Sequence, residues 1–353
     1  MKQIAVIGID LAKNVFQVHG PAPAGTAVLS KKLSRAQMIE FFSKITPCLI
    51  GVEACSSAHY WGRRLTEMGH TVKLMPPQYV KPYVKTNKND ARDAEAICEA
   101  VTRPNMRFVP IKTVEQQAVL ALHRVHDGIV KQRTALSNQI RGLLAEFGIV
   151  AAKGSKQLNA CMTHLLSDPN STLPVNLQKT FSSLFQELIN LTARVKEFDK
   201  QIESHVKATD ECLRILQIEG VGVLTATAVV ASVGDIRNFK SASQFAAWLG
   251  LVPRQNSSGG KTQLLGISKR GDVYLRTLLV HGARSLIRQA QLHPERYAWL
   301  TALIGRSNAN IAAVALANKN ARIAWALMAH DKAFEANYRS AHNRPESAVP
   351  DNR

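Results

Sequence analysis

The sequence predicts the fold class α/β + α, in which a mixed-sheet α/β domain precedes a mainly helical region. Short aliphatic runs alternate with helical segments up to about Pro110. The middle of the chain carries apolar residues at near-heptad spacing, which is typical of a coiled coil or a helical hairpin. The third region, from about Asp210, contains a glycine turn, an alanine-rich stretch and a basic helix.

Aliphatic runs near the start of the chain predict the mixed sheet. Residues 4–9 are rich in β-branched side chains, and the alternating segment "VFQVHG" is typical of the second strand of a hairpin. The runs "TPCLIGVEA" and "HTVKLMPP" predict two further strands, separated by the helix "AHYWGRRLTEMG" that Gly69 ends. A proline-rich break then precedes "NKNDARDAEAICEAV", which predicts a helix with Asn89 or Asp90 near its N-cap.

Two apolar stripes in the middle of the chain predict either a helical hairpin within the chain or a coiled coil with another chain. The first lies within residues 116–147 and keeps near-heptad spacing with one apolar position missing at Gln132 or Arg133. The second, within residues 177–202, alternates steps of four and three residues without a break. Residues 151–176, which contain Gly, Ser and Asn, are predicted to form the turn between them. The predicted divisions are 1–112 for the α/β domain, 113–209 for a coiled-coil linker, 210–330 for a C-terminal domain and 331–353 for a disordered tail.

The charge balance predicts a nucleic-acid partner. The chain has 353 residues, 46% of them hydrophobic, and its 45 Lys and Arg against 26 Asp and Glu give a net charge of +19. Such an excess is the electrostatic footprint of a protein that binds a polyanion. No apolar run reaches the roughly 20 residues that a membrane span requires.

The five cysteines predict neither a zinc site nor a disulfide framework. They are scattered, odd in number and without CxxC spacing. No signal-peptide pattern precedes the first predicted strand. These features predict a protein of the reducing cytoplasm.

Two of the predicted strands end in a carboxylate. Asp10 follows "IAVIGI", and Glu53 follows "CLIGV". Taken alone, Asp10 is explained either by a turn, where aspartate is common, or by a metal ligand on a rigid strand. Because two strand ends of one sheet can converge, the pair is a candidate for a shared site.

Asp90 and Asp93 lie three residues apart on one predicted helix, so their side chains are neighbours. As a pair they are explained by the preference of acidic residues for the first turn of a helix. Taken with Asp10, Glu53 and the basic flank "KPYVKTNK", they predict a magnesium site, because Mg²⁺ prefers oxygen ligands. A pair of such ions can stabilise the attacking and leaving oxygens of a phosphodiester displacement.

The segment "IEGVGVLTA" predicts a turn between two helices. In a helix-hairpin-helix, Gly220 and Gly222 would let backbone N–H groups face a phosphate. A plain glycine turn explains the segment equally well. A dinucleotide-binding motif does not fit, since Thr225 replaces the third glycine and no strand precedes the turn.

The segment "RQNSSGGK" places Ser257 and Ser258 before two glycines. Ser and Gly richness by itself is typical of a flexible loop. A serine nucleophile would need a base or an electrophilic environment, which cations holding a phosphate can supply. Candidate nucleic-acid-binding cations near this segment are Arg254, Lys261, Lys269, Arg270 and Arg276.

The order of motifs resembles one known family. The segments "GIDLAKNVF", "GVEACSSAHYW", "TNKNDARDAEAICE", "IEGVGVLTA", "FAAWLGLVPRQNSSGGK" and "GISKRGDVYLRTLLVHGAR" follow one another as in the DEDD transposases of the insertion-sequence-110 family, including its 1111-type branch. The resemblance spans almost the whole chain.

This resemblance implies a RuvC-type, ribonuclease-H-like N-terminal domain. Its DEDD residues would be Asp10, Glu53, Asp90 and Asp93, with Mg²⁺ as the cofactor. In the C-terminal transposase domain a serine followed by glycine would be the nucleophile. The spacing from "GLVPR" assigns that role to Ser258, with Ser257 as the alternative one position away.

The resemblance also implies a mechanism and partners. The serine would attack a DNA phosphodiester to form a covalent phosphoserine link, and the DEDD site of another subunit would complete the active centre. A structured RNA encoded beside the gene would choose target and donor DNA by base pairing, which suits a basic protein without a base-reading motif. The assembly would be a homotetramer in the bacterial cytoplasm, associated with the nucleoid.

Two other functions fit the residues. One is a metal-dependent DNA junction nuclease, which would cleave without a covalent intermediate. The other is a non-catalytic nucleic-acid-binding scaffold built on the coiled coil and the glycine turn.

Overall fold

The computed structural model describes residues 4–21, 29–85, 89–169, 171, 173–331 and 333–335. The chain divides into two compact units. The first comprises Met1–Gln117 with Ser232–Asp235, and the second comprises Ala118–Ala231 with Ile236–Arg353. Most of the tail predicted to be disordered, residues 331–353, lies outside the described residues.

The first unit contains a mixed sheet, as predicted. Its strands are β1 (Val6–Leu11), β2 (Val15–Gly20), β3 (Leu29–Ser34), β4 (Leu49–Glu53) and β5 (Thr71–Met75). They lie in the order β3-β2-β1-β4-β5, so β1 is central. The predicted hairpin is confirmed, because β1 pairs antiparallel with β2. On its other side β1 pairs parallel with β4, and β4 pairs parallel with β5.

Helices cover both faces of this sheet. The helices of the first unit are α1 (Arg35–Ser43), α2 (Ala58–Glu67), the short α3 (Pro77–Val80) and α4 (Asp90–Val101), with a 3₁₀ turn at Lys81–Tyr83. Buried Ile7 and Ile9 of β1 join one core with residues of α1 and α2. Alternate residues of a strand point to opposite faces, so Gly8 and Asp10 belong to the other face, against which α4 packs.

The second unit begins with a long helical hairpin. Its helices are α5 (Val114–Ala145), which starts in the first unit, α6 (Ser155–Ser167) and α7 (Val175–Lys207). The apolar stripes of α5 and α7 share one buried core. His126 in the first half of α5 contacts Asp199 in the second half of α7 at 2.9 Å, as in an antiparallel pair. The prediction that residues 151–176 form only a turn is wrong. This segment contains α6, which buries Leu158 and Met162 in the same core.

The rest of the second unit is mainly helical, as predicted. Its helices are α8 (Asp210–Leu216), α9 (Val223–Val233), α10 (Ala242–Trp248), α11 (Val273–Leu292), α12 (Ala298–Arg306) and α13 (Ala309–Ala329), with a 3₁₀ turn at Ile236–Asn238. Alanines along α13 are buried and let α11 and α13 pack closely. None of the described helices combines the length and apolar character that a bilayer crossing requires.

The prediction of a flexible loop around the two serines is wrong. Residues of this segment form an antiparallel ribbon of β6 (Pro253–Ser258) and β7 (Lys261–Ile267). Gly259 and Gly260 connect the strands with φ values of +55° and +77°. A two-residue hairpin turn of type I′ requires positive φ at both central positions, and glycine adopts it without strain.

A buried histidine connects three helices of the second unit. His123 of α5 contacts the Tyr274 hydroxyl of α11 at 3.0 Å and the Thr227 hydroxyl of α9 at 2.9 Å. Only 1% of His123 is exposed. Burial, followed by the nearby His126 and His205, lowers the pKa of His123 from 6.5 to about 4. The folded protein therefore keeps this imidazole neutral at pH values where an exposed histidine is charged.

Acidification is expected to destabilise the protein partly through His123. Because its pKa is lower in the folded chain, this contribution to stability is complete above pH 6.5 and declines as the pH falls towards 4. The loss amounts to roughly 3 kcal/mol at most. Urea denaturation across this range should show a smaller pH dependence for His123→Gln than for wild type. The exposed His164 of α6 offers a control, and equal pH dependence in His164→Gln and His123→Gln would contradict the assignment.

Candidate functional site

Three of the predicted carboxylates converge in the first unit. Oxygen atoms of Asp10, Asp90 and Asp93 all lie within 4.8 Å of one another. Asp10 is near the end of the central strand β1, and the other two lie in the first turn of α4. Asp10 and Asp93 are half-buried, and Asp90 is exposed. The group is therefore accessible from solvent while two of its members are held by packed elements.

Glu53 lies at the same edge of the sheet but is not a member of this group of three. It is the last residue of β4. The parallel pairing matches Ile9 with Val52, so the next residues in register are Asp10 and Glu53. Both side chains belong to the sheet face against which α4 packs.

The Cys55 thiol lies within the electrostatic influence of the two strand-end carboxylates. Although Cys55 is exposed as a residue, desolvation of its sulfur, followed by the negative charges of Glu53 and Asp10, raises the pKa of the thiol to about 11. The sulfur also lies 3.8 Å from the carbonyl oxygen of Leu11, the residue after Asp10. Cys55 therefore lies beside both strand-end carboxylates.

Two glycines bring α4 close enough to complete the carboxylate group. Gly8 and Gly51 each precede a strand-end carboxylate by two residues and so lie on the same face as it. A Cβ at residue 8 would collide with the α4 backbone and come within 2.8 Å of Cys98 Cβ. A Cβ at residue 51 would come within 2.8 Å of Val101 Cβ. The missing side chains thus set how closely α4 approaches the sheet.

The start of α4 is fixed by the predicted cap. The Asn89 side chain accepts a hydrogen bond from the Ala91 N–H at 3.0 Å, which confirms one of the two predicted N-cap residues. Both explanations of Asp90 and Asp93 are therefore compatible with the fold, since they also lie at the positive end of the helix. A preference of acidic residues for the first turn does not explain why both converge with Asp10, which lies on a different element.

The carboxylate group suits a hard divalent cation. Carboxylate oxygens from two elements can be shared by one or two ions that retain water and substrate phosphate as further ligands. When bound, such ions stabilise the charge that develops on phosphodiester oxygens during displacement. Asp10 and Asp93, being half-buried on packed elements, would supply the fixed part of such a donor set.

The β6–β7 ribbon presents its two serines on opposite faces. Ser258 pairs across the ribbon with Lys261, and Ser257 pairs with Thr262. The Ser257 hydroxyl accepts a hydrogen bond from the Gln255 amide at 2.8 Å. All residues of β6, including both serines, are exposed.

The base of the ribbon is fixed by backbone contacts. The Ser268 N–H donates to the Val252 carbonyl at 2.8 Å, and the Lys269 N–H donates to the Gly250 carbonyl at 3.2 Å. Arg276, predicted to contact nucleic acid, donates to the Leu249 carbonyl at 3.1 Å. Its guanidinium thus supports the base of the ribbon. The other predicted cations, Arg254, Lys261, Lys269 and Arg270, are exposed.

The predicted glycine turn connects α8 and α9. Gly220 has a φ of +83° and packs against the backbone of Gly282 in α11. The buried Asn320 side chain donates to the Glu219 carbonyl at 2.9 Å. Gly222 at the start of α9 is exposed, with no atom near its Cβ position. Of the two glycines, Gly222 is therefore the one with space for a ligand.

Comparison with known proteins identifies the chain. A family model described as "Transposase IS116/IS110/IS902 family" matches residues 212–298, and a DEDD-type IS110 transposase model matches residues 7–149. A Pseudomonas aeruginosa protein named "Probable family 20 transposase" is 51% identical over 330 residues, covering 93% of this chain and 98% of the relative.

Two further relatives are transposases of named insertion elements. The transposase for insertion sequence element IS1111A of Coxiella burnetii is 45% identical, over 95% of this chain and 92% of its own. The transposase for IS1328 of Yersinia enterocolitica is 41% identical, over 95% of this chain and 99% of its own.

With these matches, the α/β unit with its acidic group and the helical unit define an enzyme of the DNA transposase class. The chain belongs to the IS110 family of insertion-sequence transposases. The resemblance found from the motif order is thereby confirmed. A DNA transposase must bind DNA, which agrees with the excess of 45 Lys and Arg over 26 Asp and Glu.

Proposed function

We propose that this transposase cuts and rejoins DNA with Ser258 as its nucleophile and with Mg²⁺ held by Asp10, Glu53, Asp90 and Asp93. The observation that carries the proposal is the convergence of Asp10, Asp90 and Asp93 within 4.8 Å. Three carboxylates from a strand and a helix form the donor set that a phosphoryl-transfer centre requires. Glu53, which lies beside Asp10 in the register of the parallel strands β1 and β4, is the fourth member.

Ser258 is the better of the two candidate nucleophiles. Its partner across the ribbon is Lys261, whereas the Ser257 hydroxyl already accepts a hydrogen bond from the side-chain amide of Gln255. Ser258 also borders the Gly259–Gly260 turn, so a DNA backbone can approach it without meeting a side chain from the turn. These contacts support the assignment made from the motif spacing.

The wider assembly follows the family pattern in this proposal. The N-terminal unit is assigned a RuvC-like fold. This assignment is supported by the pairing of the central β1, antiparallel with β2 and parallel with β4, and by the acidic group at the strand ends. The α5–α7 hairpin supports a homotetramer in which the carboxylates of one subunit act with the serine of another. An element-encoded RNA selects target and donor DNA by base pairing, and the assembly acts at the bacterial nucleoid.

The nucleophile is tested by trapping the covalent intermediate. Labelled DNA carrying the element ends is incubated with full-length protein, Mg²⁺ and RNA from the adjoining non-coding region, and products are separated on a denaturing gel. The expected result is a protein-linked DNA band that Ser258→Ala abolishes and Ser257→Ala retains. Nicked DNA without an adduct would favour the junction nuclease, and no cleavage in any condition would favour the scaffold.

A further inference from the structure

We propose that Lys261 is a catalytic residue that holds the scissile DNA phosphate beside the Ser258 hydroxyl. The proposal deepens the proposed function and rests on it, because it takes Ser258 as the nucleophile. Its basis is the register of the β6–β7 ribbon.

The ribbon fixes Lys261 opposite Ser258. The two residues are the last pair of the ladder, on either side of the two-residue turn. Directly paired residues of an antiparallel ladder lie on one face, with Cβ atoms about 5 Å apart. The lysine side chain is long enough for its ammonium group to contact a phosphate that the serine hydroxyl also reaches.

The face that carries Ser258 and Lys261 is polar. The next pair on this face is Asn256 with Gln263, because alternate pairs of a ladder share a face. The opposite face instead carries the pair Gln255 with Leu264, and Leu264 is 64% exposed. A phosphate backbone is therefore accommodated better on the face of Ser258.

Lys261 is available for a ligand. The described residues include no carboxylate that forms a salt bridge with it, and its side chain is exposed. The chain on both sides of it is held, by the turn before it and by the Ser268 N–H bond to the Val252 carbonyl after it. The backbone from which the Lys261 side chain extends is therefore positioned before the substrate arrives.

The chemical step needs no co-reactant. The bond from Ser258 Oγ to phosphorus forms while one bond from phosphorus to a sugar oxygen breaks, and the serine proton ends on the released sugar hydroxyl. Negative charge increases on the non-bridging phosphate oxygens in the transition state, where the Lys261 ammonium group can stabilise it. The same contact lowers the repulsion between the phosphate and the attacking oxygen.

The test measures single-turnover adduct formation on labelled element-end DNA with Mg²⁺ and the adjoining RNA. Lys261→Ala is expected to slow adduct formation by roughly 10²-fold, the usual effect of removing one such transition-state contact. Lys261→Arg should recover much of the rate because it keeps the charge. Thr262→Ala, its neighbour on the opposite face, is the matched control and should react at the wild-type rate.

DNA affinity, measured on the same proteins, distinguishes a catalytic role of Lys261 from a role in DNA binding alone. One lost phosphate contact among many should reduce affinity by only about 10-fold at most and decrease the salt slope by about one unit. Equal rates for Lys261→Ala and Thr262→Ala, with the adduct still dependent on Ser258, would overturn this inference and leave the proposed function standing. An adduct that persists in Ser258→Ala would overturn both.

Discussion

Replacing Asp10 by asparagine is expected to reduce metal-dependent DNA cleavage by roughly 10³-fold, equivalent to about 4 kcal/mol. The substitution keeps the shape of the side chain and removes one charge from the group formed with Asp90 and Asp93. Since the remaining carboxylates hold a divalent cation more weakly, the affinity for Mn²⁺, measured by titration calorimetry without DNA, should fall as well.

Glu99→Gln is the control for this prediction. Glu99 lies on the same helix as Asp90 and Asp93 but forms a salt bridge with Arg103 outside the carboxylate group. Its replacement makes the same change in charge and should leave both cleavage and Mn²⁺ affinity close to the wild-type values. If Asp10→Asn and Glu99→Gln behaved alike, the carboxylate group would not be the metal centre.

Gly8→Ala is expected to disable the same centre without changing any charge. The added methyl group would collide with the backbone of α4 at Ala94 and Cys98, which a side-chain rotation cannot relieve. Because Ala94 directly follows Asp93, a displaced α4 carries that carboxylate away from Asp10. Overpacking of this kind lowers the free energy of unfolding by about 1–3 kcal/mol. The rate of DNA cleavage should fall by more than the loss of folded protein explains.

Gly142→Ala provides the matched comparison. Gly142 lies in α5, is exposed and has no atom within 4 Å of its Cβ position. Alanine in a helix interior is favoured over glycine by up to about 1 kcal/mol, so this variant should be at least as stable as wild type. Urea denaturation and Mn²⁺ titration compare the two variants. A Gly8→Ala protein with unchanged stability and metal affinity would show that α4 does not depend on this close approach.

The sequence predicted the carboxylate site because its determinants are local. The runs before Asp10 and Glu53 are strongly apolar, and Asn89 carries a recognisable capping side chain. The importance of Gly8 and Gly51 could not be predicted in the same way, although both stand two residues before a carboxylate. Their role depends on α4, about 50 to 90 residues away in sequence, and periodicity does not report such contacts.

The ribbon was missed for a different reason. The pair Gly259–Gly260 between two extended segments is a recognised hairpin signal. Its strands, however, are polar and exposed on both faces, so they lack the apolar alternation that marks a strand. The helix α6 was missed because the Gly, Ser and Asn residues around it are typical of turns.

The central claim, serine chemistry at Ser258, is tested most directly by locating the DNA on the protein. Trypsin should release residues 255–261 as the peptide "QNSSGGK", bounded by Arg254 and Lys261. Mass spectrometry of nuclease-trimmed adduct formed with Mg²⁺, the element ends and the adjoining RNA is expected to find the nucleotide on Ser258. A nucleotide on Ser257 or on another residue, or nicked DNA in the absence of any modified peptide, would contradict the account.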